Sequence, residues 1–181
     1  LRPAMAAYDV QHYALDVAVD PDDRRISGRN VITVEVIDET SVFEINLDDR
    51  LDVRAVSLDD RVVLFRHDDG LITVKLGTPW RPGQRRRIEI VYEGQPKSAI
   101  RPPWIDGFVW AETPSGKPWI GVTSEGSGGD VWWPCKDHPS DEPDLGMTIT
   151  LTVPQGLVGL SNGRLLGERK NGDGTVTSEW R

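Results

Sequence analysis

Residues 12–36 read HYALDVAVDPDDRRISGRNVITVEV, and this stretch decides the fold class. On both sides of the charged PDDRR turn, apolar residues recur at every second position, which is the period of a half-buried β-strand. These positions are Tyr13, Leu15, Val17, Val19, Ile26, Ile32, Val34 and Val36. In the second run, Asn30 breaks the apolar face, and Gly28 marks a bulge or a close backbone approach. The stretch therefore predicts two strands, the second of them long.

The same alternation continues along most of the chain. Further strands are predicted at 43–47, 51–58, 62–65, 71–76, 88–92, 147–153 and 157–160, and a hairpin at 164–170 and 175–180. Residues 94–118 form a proline- and aromatic-rich excursion, from which 119–123 is expected to return to the sheet. No segment sustains an apolar period of 3.6 residues. We therefore expect an all-β fold: a two-sheet sandwich of about ten to twelve short, mostly antiparallel strands.

Composition narrows the function classes. Hydrophobic residues make up 38% of the chain and charged residues 28%, which fits a soluble globular protein rather than a disordered one. The formal charge of −8 argues against nucleic acid as a partner, because nucleic-acid-binding surfaces are basic. No apolar run approaches the ~20 residues that span a bilayer. The single cysteine cannot form an internal disulfide, so the cysteine content does not distinguish an oxidising from a reducing compartment.

The sequences at the two ends of the chain lead to expectations about processing and about the length of the complete protein. Residues 1–13, LRPAMAAYDVQHY, contain no long apolar region, so no intact signal peptide is expected. The localisation stays undetermined, with a bacterial extracytoplasmic site expected if a signal peptide has been removed. Residues 174–181, GTVTSEWR, alternate as a strand and stop without a turn or cap. We therefore expect the chain to be cut from a longer protein.

Chemistry-bearing residues are concentrated in residues 121–144, GVTSEGSGGDVWWPCKDHPSDEPD. The three histidines of the chain lie far apart, and none belongs to an H-E-x-x-H helix or a C-x-x-C pair. A metal could in principle be held by Cys135, His138, Asp141, Glu142 and Asp144. A Cys and a His three residues apart on a proline-broken loop are nevertheless a weak signal. Carboxylates bonded to backbone N–H groups are the favoured interpretation, so no metal site is predicted in this chain.

Two other kinds of site are disfavoured in the same segment. Cys135 could act as a nucleophile only with a base and an oxyanion hole, and the neighbouring Trp133 and Pro134 favour a buried, unreactive thiol. The Gly-rich run 126–129 lacks the Lys and the helix start of a phosphate site. Nothing supports Ser/His/Asp catalysis. The sequence therefore predicts no catalytic residue in the chain.

The tryptophan content also allows the interpretation that the chain is a binding module. Exposed, coplanar indoles on a β-sandwich could stack on sugar rings, and the candidates are Trp80, Trp104, Trp110, Trp119, Trp132 and Trp133. Most of them lie beside prolines or in apolar patterns, where core or loop-anchoring roles are commoner. Solvent exposure decides between the two interpretations.

Glu125 is the one carboxylate that the sequence sets apart. It precedes Gly126, Ser127 and two further glycines, so a ligand can approach the backbone around it closely. A carboxylate on such a loop can bind a cation, such as the free amino terminus of a peptide, through charge-assisted hydrogen bonds. A solvated loop carboxylate is the alternative that the residues alone leave open.

Several runs resemble the amino-terminal domain of the zinc aminopeptidase family that includes aminopeptidase N. They are HYALDVAVD and ISGRNVITVEV near the start, PPWIDGFVW at 102–110, GKPWIGVTSEGSGGDVWWPCKDHPSDEPD at 116–144, and MTITLTVPQGLVGLSNGRL at 147–165. The similarity spans nearly the whole chain. It is strongest in the WWPCKDHPSDEPD run, which is similar to a WWPxKDHxxDEPD signature of a bacterial branch. The resemblance implies a saddle-shaped β-sandwich packed on a thermolysin-like catalytic domain.

The resemblance also implies where the active-site groups lie. In the family, the zinc ligands, the general base, the transition-state-stabilising Tyr and a Gly-x-Met-Glu-Asn loop belong to the later domain, and none of these motifs occurs in this sequence. The amino-terminal domain lends a Gln or Glu that lies ten residues before the Cys of a Pro-Cys pair. That position here is Glu125, ten before Cys135. Two features depart from the branch: Glu stands where Gln is usual, and GSGGD replaces an Ala-Ser version.

The combined prediction is a non-catalytic amino-terminal β-sandwich domain, residues 1–181, of a zinc aminopeptidase. Its substrate-binding residues are predicted to be Glu125, Gly126 and Ser127, and its partners the amino terminus of a peptide and its own catalytic domain. Zinc is expected in that catalytic domain and in no site of this chain. The alternative is a free-standing β-sandwich that binds carbohydrate or another protein.

Overall fold

The computed structural model describes residues 1–102 and 104–181; Pro103, in the proline- and aromatic-rich excursion, lies outside them. One helical turn, α1 (Pro3–Ala6), precedes the strands. The strands are β1 (Tyr8–Asp20), β2 (Arg25–Val36), β3 (Thr40–Asn46), β4 (Leu51–Leu58), β5 (Arg61–Val62), β6 (Arg66–Asp68), β7 (Leu71–Trp80), β8 (Arg85–Gly94), β9 (Gly107–Glu112), β10 (Pro118–Thr123), β11 (Met147–Pro154), β12 (Leu165–Lys170) and β13 (Thr175–Trp180). A 3-10 turn lies at Gly129–Val131.

The strands form one large sheet and two small ones. The eight-stranded sheet has the order β12-β13-β11-β1-β2-β8-β4-β5, the three-stranded sheet the order β3-β7-β6, and β9 pairs with β10 alone. Neighbouring strands are antiparallel except for β1 and β11, which run parallel with Tyr13 opposite Met147. The all-β prediction is confirmed. Thirteen strands are present in the described residues; β2 is long, as predicted, and β1 is longer than the short strand expected.

The core lies between the eight-stranded and the three-stranded sheet. Alternate residues of β1, β2 and β8 pack against the inward side chains of β3 and β7. Tyr8 and Phe43 join the two layers with ring centroids 5.3 Å apart. A Cβ on Gly28 would overlap the buried ring of Tyr92, which confirms the close approach predicted at this glycine. Each fully buried large apolar side chain contributes roughly 1.5–3 kcal/mol to folding.

Three predicted strands differ from the structure. Residues 119–123 lie in β10 but pair with β9 instead of rejoining a larger sheet. Residues 157–160 form only a bridge at Leu157, and Val158 and Leu160 are exposed, so their apolar character does not reflect a buried face. In 62–65, strand β5 ends at Val62, and Val63 adds one backbone hydrogen bond to Val56 of β4. The runs at 119–123 and 157–160 have no partner strand in the large sheet, and the run at 62–65 pairs with its edge only at its start.

Candidate functional site

Residues 121–144 contain two parts: a turn at 124–128, and residues 132–144, which are hydrogen-bonded to the sandwich and are called the fastened stretch. The turn follows β10 and is closed by the N–H of Gly128, which donates to the carbonyl oxygen of Ser124 at 3.1 Å. The 3-10 turn then leads into residues 132–144, which lie against β1, β2 and β3. The two parts have different surroundings.

Asp106, which directly precedes β9, holds the turn. Its two carboxylate oxygens accept the N–H of Gly126 at 3.1 and 2.9 Å. The hydrogen bonds from Ser127 and Gly126 lower the pKa of Asp106. A Cβ on Gly126 would lie 3.0 Å from Oδ2 of Asp106, so the glycine permits this close contact.

The other two glycines of the run are packed against the fastened stretch. Gly128 has φ +84°, and a Cβ there would overlap the carboxylate of Asp137. A Cβ on Gly129 would lie 2.9 Å from Nε1 of Trp133 and 3.2 Å from Sγ of Cys135. The glycines therefore allow close packing within the protein.

Glu125 lies at the exposed tip of the turn. Within residues 1–102 and 104–181, its carboxylate has no hydrogen-bond or ion-pair partner. Together with Gly126 and Ser127 it lines a cavity of about 510 Å³, whose other walls include Tyr13 and residues 135–139. The structure therefore brings the three predicted substrate-binding residues to one cavity, and their role stays a prediction.

The fastened stretch is tied to the sandwich by its backbone. Cys135 and Asn46 exchange two backbone hydrogen bonds, of 3.1 and 3.0 Å. Nδ2 of the buried Asn30 donates to the carbonyl oxygen of Pro134 at 2.8 Å. The polar residue that interrupts the apolar face of β2 therefore serves to hold the Trp-Trp-Pro segment.

A buried polar network fastens the same stretch through its side chains. Nζ of Lys136 donates to the carbonyl oxygen of Tyr8 at 2.7 Å and lies 3.8 Å from Oδ1 of Asp141. The hydroxyl of Tyr13 donates to Oδ2 of Asp141 at 2.7 Å and accepts the N–H of Lys136 at 3.1 Å. Burial raises the pKa of Asp141. Because the Lys and the Asp stabilise each other's charge inside the protein, their first function is structural.

Two further groups near the cavity have raised pKa values. Burial, together with the nearby Asp137, Asp130 and Asp141, raises the pKa of the Cys135 thiol well above its ordinary value. The thiol is therefore protonated and a poor nucleophile. Partial burial and the repulsion of Asp137 and Asp48 raise the pKa of Asp130 to about 6.

The residues considered as metal ligands do not come together. In the part of the chain that the structure describes, no group of three or more His, Cys, Asp and Glu side chains is arranged to hold a metal ion. Nδ1 of His138 pairs with the hydroxyl of Ser140 at 2.7 Å, and Asp144 lies 3.4 Å from Nε2 of Gln11. Asp141 and Asp144 therefore have partners within the protein, whereas Glu142 is exposed.

The tryptophans do not form a sugar-stacking platform among the described residues. Trp80 is buried in the core, and Trp110 stacks on Phe108 with centroids 5.1 Å apart. Trp132 and Trp133 contact each other beside the core. Trp104 and Trp119 are 66% and 58% exposed, but neither belongs to an aromatic pair within residues 1–102 and 104–181.

An apolar groove of about 710 Å³ adjoins the cavity and shares Gly129, Trp133 and Met147 with it. Its rim carries the exposed side chains of Trp119, Val122, Val158 and Leu160.

No helix in the described residues has the length and apolar character needed to cross a membrane.

Two residues of the site were missed by sequence reasoning. Tyr13 lines the cavity, but in the sequence it is only one apolar position of a strand. Asp106 holds the turn from twenty positions before Gly126, and no spacing rule connects the two. Only the folded chain brings them together.

Comparisons with known proteins agree on one family. A family model described as the Peptidase M1 N-terminal domain matches residues 9–181. "Leucine aminopeptidase 2" of Vanderwaltozyma polyspora is 25% identical over 181 residues, covering 96% of this chain and 26% of that protein.

Solved structures give the same result. An M1 zinc metallopeptidase from Deinococcus radiodurans superposes with a TM-score of 0.80 at 26% identity, covering 96% of this chain and 38% of that one. A mutant of the D. radiodurans enzyme bound to a Tyr-Ser-Ala substrate gives 0.79 at 27% identity, covering 96% and 39%. The chain therefore spans well under half the length of these relatives.

Proposed function

The chain belongs to the peptidase M1 N-terminal domain family, and from this premise we propose that it is the non-catalytic amino-terminal domain of a zinc aminopeptidase. In this proposal it packs on a catalytic domain elsewhere in a longer protein and helps to bind the free amino terminus of the substrate. The family match and the greater length of the relatives support the longer protein. The exposed, unpaired carboxylate of Glu125 carries the substrate-binding part of the proposal.

Zinc does not fit the residues of this chain. The described His, Cys, Asp and Glu side chains form no cluster of metal-binding geometry. Cys135 is buried and protonated, and Asp141 is bonded to Tyr13. We therefore assign the metal, and with it the hydrolytic step, to the catalytic domain. What this chain contributes is binding.

Glu125 has the properties that binding of an ammonium group requires. Its carboxylate is an acceptor without a competing cation among the described residues, and it stands at the edge of a cavity. The turn beneath it is held by Asp106, so little ordering remains to be done when a ligand binds. A peptide amino terminus would donate charge-assisted hydrogen bonds to Glu125. Gly126 and Ser127 provide the adjoining wall.

The apolar groove is the surface on which we place the catalytic domain. Trp119, Val122, Val158 and Leu160 leave apolar area exposed on its rim, which favours a protein partner. Because the groove and the Glu125 cavity share three lining residues, a domain seated in the groove would cover the cavity from one side. That arrangement would complete the substrate site.

Kinetics of the complete protein test this function. Glu125→Ala should raise KM for peptides with a free amino terminus, because one charge-assisted contact is worth roughly 1.5–3 kcal/mol. Glu142→Ala is the matched control, since Glu142 is an exposed carboxylate of the same segment outside the cavity. Unchanged kinetics of Glu125→Ala would remove Glu125 from the site. Chelator-sensitive hydrolysis by the 181-residue chain alone would refute the assignment of the metal to another domain.

One second candidate is a carbohydrate-binding module in which a single exposed indole, that of Trp104 or Trp119, stacks on a sugar ring without a shared platform. A glycan array probed with the chain tests it, with Trp119→Ala as the comparison. Binding that is lost in Trp119→Ala would support this candidate, and an array without signal would reject it.

A further inference from the structure

Asp106 is a buried carboxylate whose acceptor capacity is directed at one turn. Only 2% of the residue is exposed. The N–H of Gly126 reaches both of its oxygens, at 3.1 and 2.9 Å. Ser127, the next residue of the turn, and Gly126 both lower the pKa of the carboxyl group. Nζ of Lys97 lies 3.4 Å from the hydroxyl of Ser127 and adds a favourable charge. An acceptor-only group surrounded by donors has one preferred orientation.

The backbone of Asp106 is itself fixed by the fold. Gly107 has φ +133°, and a Cβ there would overlap the carbonyl oxygen of Lys97. Phe108 donates its N–H to that carbonyl at 2.7 Å, accepts the N–H of Ala99 at 2.9 Å, and is buried in the core. The backbone of Asp106 is therefore fixed relative to the core, and its carboxylate in turn fixes the position of the turn.

Glu125 has no such anchor of its own. Its side chain has no partner in the described part of the chain, so its location depends on the backbone on either side. The first N–H after Glu125 is that of Gly126, which Asp106 accepts. The turn is otherwise closed by the single bond between Ser124 and Gly128.

We propose that Asp106 is the positioning residue for Glu125: its carboxylate holds the turn so that the Glu125 carboxylate stands where the substrate ammonium binds. This inference rests on the proposed function of Glu125. In this role Asp106 touches no substrate and acts through the N–H of Gly126. Its loss should therefore act on ammonium binding and leave the hydrolytic step unchanged.

The test compares Asp106→Asn, Glu125→Ala and the double variant in the complete protein. Asn keeps the shape, but its NH₂ group faces N–H donors and its negative charge is gone. KM for peptides with a free amino terminus should rise about ten- to a hundredfold in each single variant, with kcat changed less than about twofold. The double variant should be no worse than Glu125→Ala, because both changes remove one interaction.

Asp173→Asn is the matched control. Asp173 accepts the N–H of Thr175 at 3.0 Å and its hydroxyl at 2.7 Å, so it holds a turn in the same way, but in the distant β12–β13 hairpin. Its KM should equal that of the wild type. If KM rose merely because a turn had lost its carboxylate, Asp106→Asn and Asp173→Asn would raise it to the same extent.

The outcomes separate the inference from the proposed function. Unchanged KM in Glu125→Ala would defeat the proposed function itself. A raised KM in Glu125→Ala with an unchanged KM in Asp106→Asn would overturn only the positioning role, and so would effects that multiply in the double variant. If Asp106→Asn does not fold, Asp106→Glu replaces it, since the longer side chain moves the carboxylate out of register with the N–H of Gly126; a KM above that of the wild type and no further rise with Glu125→Ala would support the inference, and any other result would reject it.

Discussion

The turn at 124–128 and the stretch at 132–144 come from one run of sequence but differ in what holds them. The stretch is tied down by Asn30, Lys136 and Asp141, each with a buried partner. The turn is held by Asp106 and by its own closing bond, and it leaves Glu125 exposed. Asn30, Lys136 and Asp141, which have partners inside the protein, build the scaffold, whereas Glu125, which has none among the described residues and lines a cavity, is the candidate for a ligand.

The comparison also explains why the most distinctive residues are not the site. The paired tryptophans, the cysteine and Asp141 stand out in the sequence, but Trp132, Trp133 and Cys135 pack against the core and Asp141 belongs to a buried network. Glu125 is an ordinary residue type in an exposed turn. Its environment sets it apart.

The largest stability effect is expected in the fastened stretch. Asp141→Ala leaves the ammonium of Lys136 buried without its carboxylate, since the two side chains are only 4% and 6% exposed. The free energy of unfolding should fall by about 3 kcal/mol. Urea denaturation of the chain measures it. Asp144→Ala, an exposed carboxylate of the same stretch, should cost less than about 0.5 kcal/mol, and equal losses in the two variants would contradict the comparison.

A smaller effect is expected where the two regions meet. Gly128→Ala must adopt φ +84° and also displace the carboxylate of Asp137. Gly116→Ala must adopt φ +77° but has open space around its Cβ. The second change should cost about 1 kcal/mol and the first about 2. Thermal unfolding compares them, and an equal loss would mean that the turn does not pack on the stretch as described.

The smallest stability effect concerns Asp130 and depends on pH. Its folded pKa is raised from 3.8 to about 6, so its contribution to stability is fully present below about pH 3.8 and is lost as the pH rises to about 6. Asp130→Asn should therefore stabilise the chain at pH 7.5, by about 1 kcal/mol after allowance for partial exposure, and have little effect at pH 4.

Asp173→Asn gives the opposite sign. Hydrogen bonds from Thr175 lower the pKa of Asp173, so that carboxylate stabilises the fold at neutral pH and its removal should destabilise it there. Urea denaturation at both pH values measures the two variants. Asp130→Asn that destabilises the chain at pH 7.5 would contradict the raised pKa.

Much of the fold could be predicted from period-2 alternation. The pattern places β2 and β4 within one residue of their observed bounds and finds the inner parts of β1 and β8, because one face of each strand is buried in a single core. It could not give the parallel pairing of β1 with β11, which joins distant parts of the chain. It also misassigned 157–160, where exposed apolar residues alternate without a partner strand.

The site could be predicted only in part. The glycines after Glu125 indicated a turn that can be approached closely, and the three predicted residues share one cavity. Asp106 and Tyr13 could not be found, because their contacts with residues 126–141 exist only after the sheets have formed. Residues that act through tertiary hydrogen bonds leave no local pattern.

The central claim is that Glu125 recognises the free amino terminus while catalysis lies outside the chain. The most direct measurement is the inhibition of the complete protein by two matched dipeptide analogues with a reduced, non-cleavable bond, one with a free amino group and one without it. Glu125→Ala should raise the inhibition constant of the amino analogue about tenfold, which corresponds to about 1.4 kcal/mol, and leave the other unchanged, while Glu142→Ala changes neither. Full discrimination between the two analogues in Glu125→Ala would contradict the claim.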